Sequence, residues 1–203
     1  MEAGATVGNF SLLVGLPYRD RVLVQRVAIE AVPRYAVVDE DTVVQVVQRV
    51  TREDDAVPVL EAAFDRLERR QPALAGWLAE ELGQADEVGA QTLTYFLFLI
   101  VFMSFDEAFG GRLAEVRRAD LAVTFDRLAA DGELRNATPG ESYSEDAVSI
   151  SQPALMTLIH GEVERAVDAA GQAGRALDVD PIVQALLIEV LALSAAVAPS
   201  EMS

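Results

Sequence analysis

From Val88 to Phe105 the chain runs eighteen residues without a charge, through "TLTYFLFLIVFMSF". A segment that long and apolar on every side has to be buried, in protein or in lipid. Three features favour protein. Gly89, Gln91, Thr92 and Thr94 shorten the apolar part. Both flanks are acidic, Asp86–Glu87 and Asp106–Glu107, and the nearest arginines lack the one-sided bias of membrane topology. The run therefore predicts the central helix of a protein core. A second apolar helix closes the chain at "DVDPIVQALLIEVLALSAAVA", with Asp180 as its cap and Pro181 at its first position. Glu189 inside it weighs further against lipid.

Two such rods need amphipathic helices to cover them. "RVLVQRVAIEAV" reads as helix, with Val24, Val27, Ala28 and Ala31 on one face; a short hairpin through Pro33 is the alternative. Asp41 or Thr42 is expected to cap the next helix, whose Val43, Val46, Val47 and Val50 share a face. Asp54 or Asp55 is placed to cap another, with Pro58 in its first turn and Leu60, Phe64 and Leu67 along one side. Pro72 must end that helix and begin "ALAGWLAEEL", or kink it, and Gly83 or Gly89 can terminate the second helix. The long apolar helix stops at Gly110–Gly111, and "GGRLAEVRRADLAVTFDRLAADGEL" supplies a further helix or pair. "RNATPGESYSED" is the clearest loop, and the sequon form at Asn136 reads as part of that polar turn. Helix resumes with Ser149 or Ser151 as cap and Pro153 in its first turn.

Two four-residue strings recur. "FDRL" stands at Phe64–Leu67 and Phe125–Leu128; "QPAL" stands at Gln71–Leu74 and Gln152–Leu155. In both places FDRL precedes QPAL, and QPAL precedes a strongly apolar helix. The longer second spacing coincides with the polar loop, where insertion is tolerated. The order predicts a doubled helical unit, 56–110 and 119–199, with a loop insertion at 131–147. Each unit alone could not cover its most apolar helix, whereas two can bury those helices against each other. Gln-Pro then reads as helix-start grammar, since proline fixes φ in the first turn and has no N–H to leave unpaired. The expectation is an all-α protein: an N-terminal arm, 1–20, then one compact bundle of about eight helices, 21–203, around two central apolar helices.

Composition narrows function mainly by exclusion. The formal net charge is −17, and all 16 basic residues are arginine. So acidic a surface repels phosphate backbones, so nucleic acid is not expected as a partner. Without cysteine there is no disulfide, thiolate metal site or cysteine nucleophile. "MEAGATVGNFSLLVGLPYRD" has no basic n-region, so it does not read as a signal peptide, and the expected location is the cytoplasm.

Catalytic patterns are sparse. The sole histidine, His160, lies one helical turn from Glu164 and is expected to pair with it. No G-x-S-x-G, P-loop or G-x-G-x-x-G occurs. Carboxylates beside apolar helices, Glu80, Glu81, Asp106 and Glu107, are the candidate ligands for a divalent metal. Asp106 and Glu107 sit near a helix C-terminus, where the macrodipole disfavours negative charge and Arg112 is placed to offset it. Tyr95, Phe98, Phe102, Phe105 and Phe109 recur at spacings of three and four. That is the period of a packed seam, which serves a core, an oligomer interface or an apolar pocket. The favoured reading is a non-enzymatic interaction or scaffold module that self-associates or binds a protein partner, with no cofactor. The alternatives are a carboxylate-based metal hydrolase and a carrier of a small apolar ligand.

Overall fold

The computed structural model describes residues 32–52, 56–84, 87–137 and 144–200. Eight α-helices and no strand run through the described residues: α1 Glu40–Arg52, α2 Val57–Arg70, α3 Pro72–Gln84, α4 Val88–Phe109, α5 Arg118–Ala137, α6 Ser144–Ser151, α7 Pro153–Gln172 and α8 Asp180–Ala196. The all-α bundle expected from the periodicity is what forms. The expected arm over 1–20, the helix over 21–31, and the caps Asp54 and Asp55 lie outside the described residues.

The most extensive helix–helix contact is between α4 and α8. The reason lies in their composition. Neither has a polar face to give to water, so each is stable only when other helices close round it. From Leu97 to Phe105 every α4 residue is buried, as is every α8 residue from Ala185 to Val190. α4, with the turn that follows it, is long and apolar enough to cross a membrane by length and composition; in this fold it lies mostly inside the chain. The covering helices turn one face inward. α1 buries Val43, Val46 and Val50, with Val47 partly covered, as their spacing predicts. α2 buries Ala63 and Leu67, with Leu60 and Phe64 partly covered beside them.

Proline sets several helix starts as expected. Pro58, Pro72, Pro153 and Pro181 each fall within the first two positions of α2, α3, α7 and α8. The long apolar helix ends where two glycines follow it. Gly110 adopts φ +50° and ψ −116°, which glycine reaches without a Cβ clash.

Other boundaries differ from the sequence reading. α1 is capped by Asp39, two residues early, whose carboxylate accepts from the Thr42 N–H at 2.7 Å and the Thr42 hydroxyl at 3.0 Å. Those bonds, the backbone one foremost, hold the Asp39 carboxyl below its ordinary pKa. Past Pro33 the chain makes a single 3₁₀ turn, Arg34–Ala36, followed by extended chain. Gly83 lies in the last turn of α3, and Gly89 in the first turn of α4. Both ends of the expected loop at 135–146 are helical: Arg135–Ala137 close α5 and Ser144 opens α6, while 138–143 lie outside the described residues. Ser149 and Ser151 belong to α6 and do not cap α7; the Ser151 hydroxyl donates back to Ala147 O at 2.7 Å. α8 begins at Asp180, and it is the Asp178 carboxylate that accepts the Asp180 N–H, at 3.3 Å.

Candidate functional site

The polar interior of the bundle is built round the two QPAL glutamines. Each stands between two helices, Gln71 between α2 and α3, Gln152 between α6 and α7. Each has φ/ψ near −135°/58°, respectively −138°/57° and −130°/59°, outside the helical range. Both are wholly buried. Gln71 Oε1 accepts from the Val116 N–H at 2.7 Å while its Nε2 donates to Ala114 O at 2.9 Å. Gln152 Oε1 accepts from the Val38 N–H at 3.0 Å, and its Nε2 donates to Ala36 O at 2.6 Å and to the Ser194 hydroxyl at 3.1 Å. In each case one amide spans the C=O of residue i and the N–H of residue i+2 in a segment outside regular helix. A primary amide suits this because it carries donor and acceptor side by side. These segments cross the bundle without a β-partner for those groups, and an unpaired buried backbone group costs roughly 1–3 kcal/mol. QPAL is therefore more than a helix start. The glutamine is the residue that sequence reasoning passed over; its recurrence ahead of both prolines was the available signal.

The aromatic stripe lies inside the chain. Phe98, Phe102 and Phe105 are wholly buried and Phe109 is 7 % exposed. The Phe105 and Phe109 rings are 5.7 Å apart, and Phe98 meets Trp77 of α3 at 5.9 Å. Tyr95, at the open end, packs on Phe64 at 5.9 Å. Burial, with Glu61 and Asp65 nearby, raises its phenol above the ordinary pKa. The stripe's apolar surface is thus taken up by the core, and only Tyr95 keeps appreciable contact with water. The two FDRL strings do not share an environment. Phe64 is partly buried in α2, which runs directly into QPAL, whereas Phe125 is 49 % exposed on α5 and α6 intervenes.

The candidate metal carboxylates are engaged by arginines. Asp106 is ion-paired with Arg70 of α2, whose other nitrogen donates to Gly110 O at 2.6 Å; Arg66 lies 3.9 Å from it. Glu107 pairs with Arg49 of α1 at 2.6 Å. These contacts tie α1 and α2 to the last turn of α4 and offset the macrodipole there. Arg112 does not serve that purpose: its guanidinium lies 5.2 Å over the Phe109 ring and bonds the Ser200 hydroxyl. Glu80 pairs with Arg118 at 2.8 Å, and Glu81 lines a separate cavity. Asp106 and Glu107 are thus apart from Glu80 and Glu81 in their partners. Among the described residues no group of three or more His, Asp or Glu has a geometry that could hold a metal ion. Replacing Asp106 by alanine is expected to cost about 1–3 kcal/mol, since the half-buried Arg70 loses its charged partner. Urea unfolding of Asp106→Ala, with and without magnesium, checks this; a magnesium-dependent gain present in the parent and lost in the variant would restore the metal reading.

His160 bonds Glu145 of α6 at 2.9 Å, not Glu164 on its own helix. Glu164 lies with both of them on the wall of a cavity of about 670 Å³ between α5, α6, α7 and the start of α8. A second cavity of about 670 Å³ opens where α4 and α8 begin, lined by Leu82, Ala90, Thr94, Leu177, Ile182 and Ala185 among others. One turn beyond Ala185, Glu189 is wholly buried and neither carboxyl oxygen has a hydrogen-bond partner. Burial alone pushes its carboxyl well above the ordinary glutamate pKa.

Fold and site together define a class: an all-α bundle with two enclosed apolar helices, whose buried amides hold its own backbone. Comparison with protein-family models, curated proteins and solved structures finds no match to this chain.

Proposed function

We propose that the chain is a non-enzymatic helical interaction module that self-associates. The observation that carries this reading is a solvent-facing apolar groove between α1 and α7, of about 370 Å³. Its apolar wall is made by Val43, Val44, Val47, Pro153, Ala154 and Leu158. Val44 is 43 % exposed there. Glu40, Gln48 and Thr157 add polar groups to the lining. Such a groove takes the apolar side of an amphipathic helix. The exposed Val44 of α1 lies on this groove, so two copies meeting about a twofold axis would cover each other's Val44. Asp106, Glu107, Glu80, Gln71 and Gln152 each hold a helix or a backbone segment in place.

Light scattering over a dilution series tests this. A dimer is expected that gives way to the 21.9 kDa monomer on dilution. Because each copy carries a net charge of −17, salt is expected to strengthen the dimer by screening like charge. Val44→Glu should move the equilibrium to monomer, weakening association about tenfold or more, with an unchanged helical circular dichroism spectrum. A strict monomer at every concentration and salt, binding no protein in pull-downs, would overturn the reading.

A further inference from the structure

The cavity where α4 and α8 begin is acidic outside and apolar within. Three segments bring carboxylates to it: Glu81 near the end of α3, Glu87 at the cap of α4 and Asp178 in the link before α8. Glu87 and Asp178 are exposed, whereas Ile182 and Ala185 are buried, so the acids lie toward solvent. No arginine or histidine stands among the described lining residues. Leu82, Leu177, Ile182 and Ala185 make the apolar wall, and the one hydroxyl on it, that of Thr94, already donates to Ala90 O at 2.8 Å. A volume of about 670 Å³ is ordinary for a site that holds a small organic molecule.

Glu189 gives this cavity a second acidic end. It is the one buried carboxyl among the described residues with neither oxygen bonded. At about 100° per residue it falls between Ile182 and Ala185 around the α8 axis, about 6 Å further along than Ala185. Helical side chains lean back toward the helix start, which carries the carboxyl under the floor that Ala185 makes. Ala185 ends at Cβ and does not close that way. Three helices pack on α8, namely α4, α5 and α6. Their described ionisable groups there are Tyr95, Arg118, Asp120, Asp126, Arg127 and Glu145, and none of them pairs with Glu189 or shifts its pKa, which burial alone raises. Asp106 and Glu107, at the far end of α4, are held by arginines. An unpaired acid that costs the fold stability, set at the inner end of a cavity, is accounted for by a ligand that pairs with it.

We propose that this cavity binds a linear aliphatic diamine or polyamine end-on. One ammonium sits among Glu81, Glu87 and Asp178, the methylenes lie along Leu82, Leu177 and Ile182, and the far amine reaches Glu189. Two acidic ends separated by an apolar stretch match a chain charged at both ends and apolar between. An inorganic cation has nothing to set against the apolar wall, and a monoamine leaves one acidic end unmet. Along α8 the distance from Pro181 to Glu189 is about 12 Å, and from Ala185 about 6 Å, which bounds the useful spacing of the two amines. On binding, the far ammonium arrives charged and the Glu189 carboxyl releases its proton to water, leaving a neutral pair inside. The site does not use the α1–α7 groove and does not rest on it.

Titration calorimetry of the full chain with unbranched diamines of increasing length, and with monoamines of the same lengths, tests this. An optimum length is expected, at which the diamine binds about tenfold or more tighter than its monoamine. Its affinity should rise with pH while Glu189 is protonated in the free protein, by up to about tenfold per pH unit, with release of one proton per ligand. Glu189→Gln keeps the size of the side chain and should remove both the diamine preference and the proton release. The pair Glu81→Gln and Glu87→Gln should weaken diamine and monoamine alike. A chain of net charge −17 attracts any polycation to its surface, so affinities that ignore length and fall together with salt report surface binding and overturn the proposal. Absence of binding overturns it too, as does a Glu189→Gln chain that binds like the parent. Should that variant not fold, the length and pH dependence of the parent decide the matter alone.

Discussion

Replacing Gln152 by alanine is expected to lower the unfolding free energy by about 3–5 kcal/mol. The side chain makes three hydrogen bonds from a wholly buried position, to Val38, Ala36 and Ser194. Alanine removes all three partners at once. The Val38 N–H and Ala36 C=O are then buried without water or protein to bond, and a void the size of the lost amide remains. For a chain of roughly 150–250 residues, each kcal/mol moves the melting midpoint by ~2–4 °C, so a fall of about 10 °C or more is expected. Gln71→Ala should behave similarly but lose less, because Gln71 makes two such bonds and no contact like that to Ser194. Gln152→Glu is a sharper probe. It keeps an acceptor for Val38 N–H but has no N–H to give Ala36 O, and it brings a buried charge. The exposed Gln184→Ala serves as the control, within about 0.5 kcal/mol of the parent. Urea unfolding of the four variants measures all of this; a loss at Gln152→Ala no larger than the control would mean that the clamp contributes nothing.

Glu189→Leu should stabilise the protein at neutral pH, by roughly 1–3 kcal/mol. Glu189 is wholly buried on α8 with both oxygens unpartnered, and burial is the only cause of its raised pKa. Facing α4 carries no ionisable residue but Tyr95 between Val88 and Phe105 that could share its proton. The folded carboxyl therefore stays neutral well above 4.5, the pH at which the unfolded one ionises. The sign follows. Stability from this group is full below about pH 4.5 and is lost as pH rises toward the folded pKa, because only the unfolded chain gains by releasing the proton. Leucine, similar in volume and indifferent to pH, removes that loss. The advantage of Glu189→Leu over the parent should thus be largest at neutral and mildly alkaline pH and shrink as pH falls to 4. Parallel urea titrations across that range would show it; a gap that stays flat, or widens toward acid, would contradict the assignment.

Much of this architecture was legible before any coordinates. The uncharged run at Val88–Phe105 and the closing run after Pro181 could only be buried helices, and they form the principal contact of the bundle. Pro58, Pro72, Pro153 and Pro181 marked helix starts because a missing N–H and a set φ act within one turn. The valines of α1 showed their inward face through spacing alone. The recurrence of QPAL was visible too, although its glutamine's role was not.

What the tertiary structure decided was the choice of partners. Gln152 bonds Val38 and Ala36, at sequence separations of 114 and 116, and Gln71 bonds Ala114 and Val116, 43 and 45 residues on. His160 turned to Glu145 instead of its neighbour Glu164, and Asp106 and Glu107 found Arg70 and Arg49 instead of Arg112. The division has a physical reason. Helix propensity, capping and apolar periodicity are set by residues within a turn or two, so the sequence by itself determines them. A side chain's hydrogen-bond partner depends on which distant segments the packed core brings alongside it, and only the folded chain settles that.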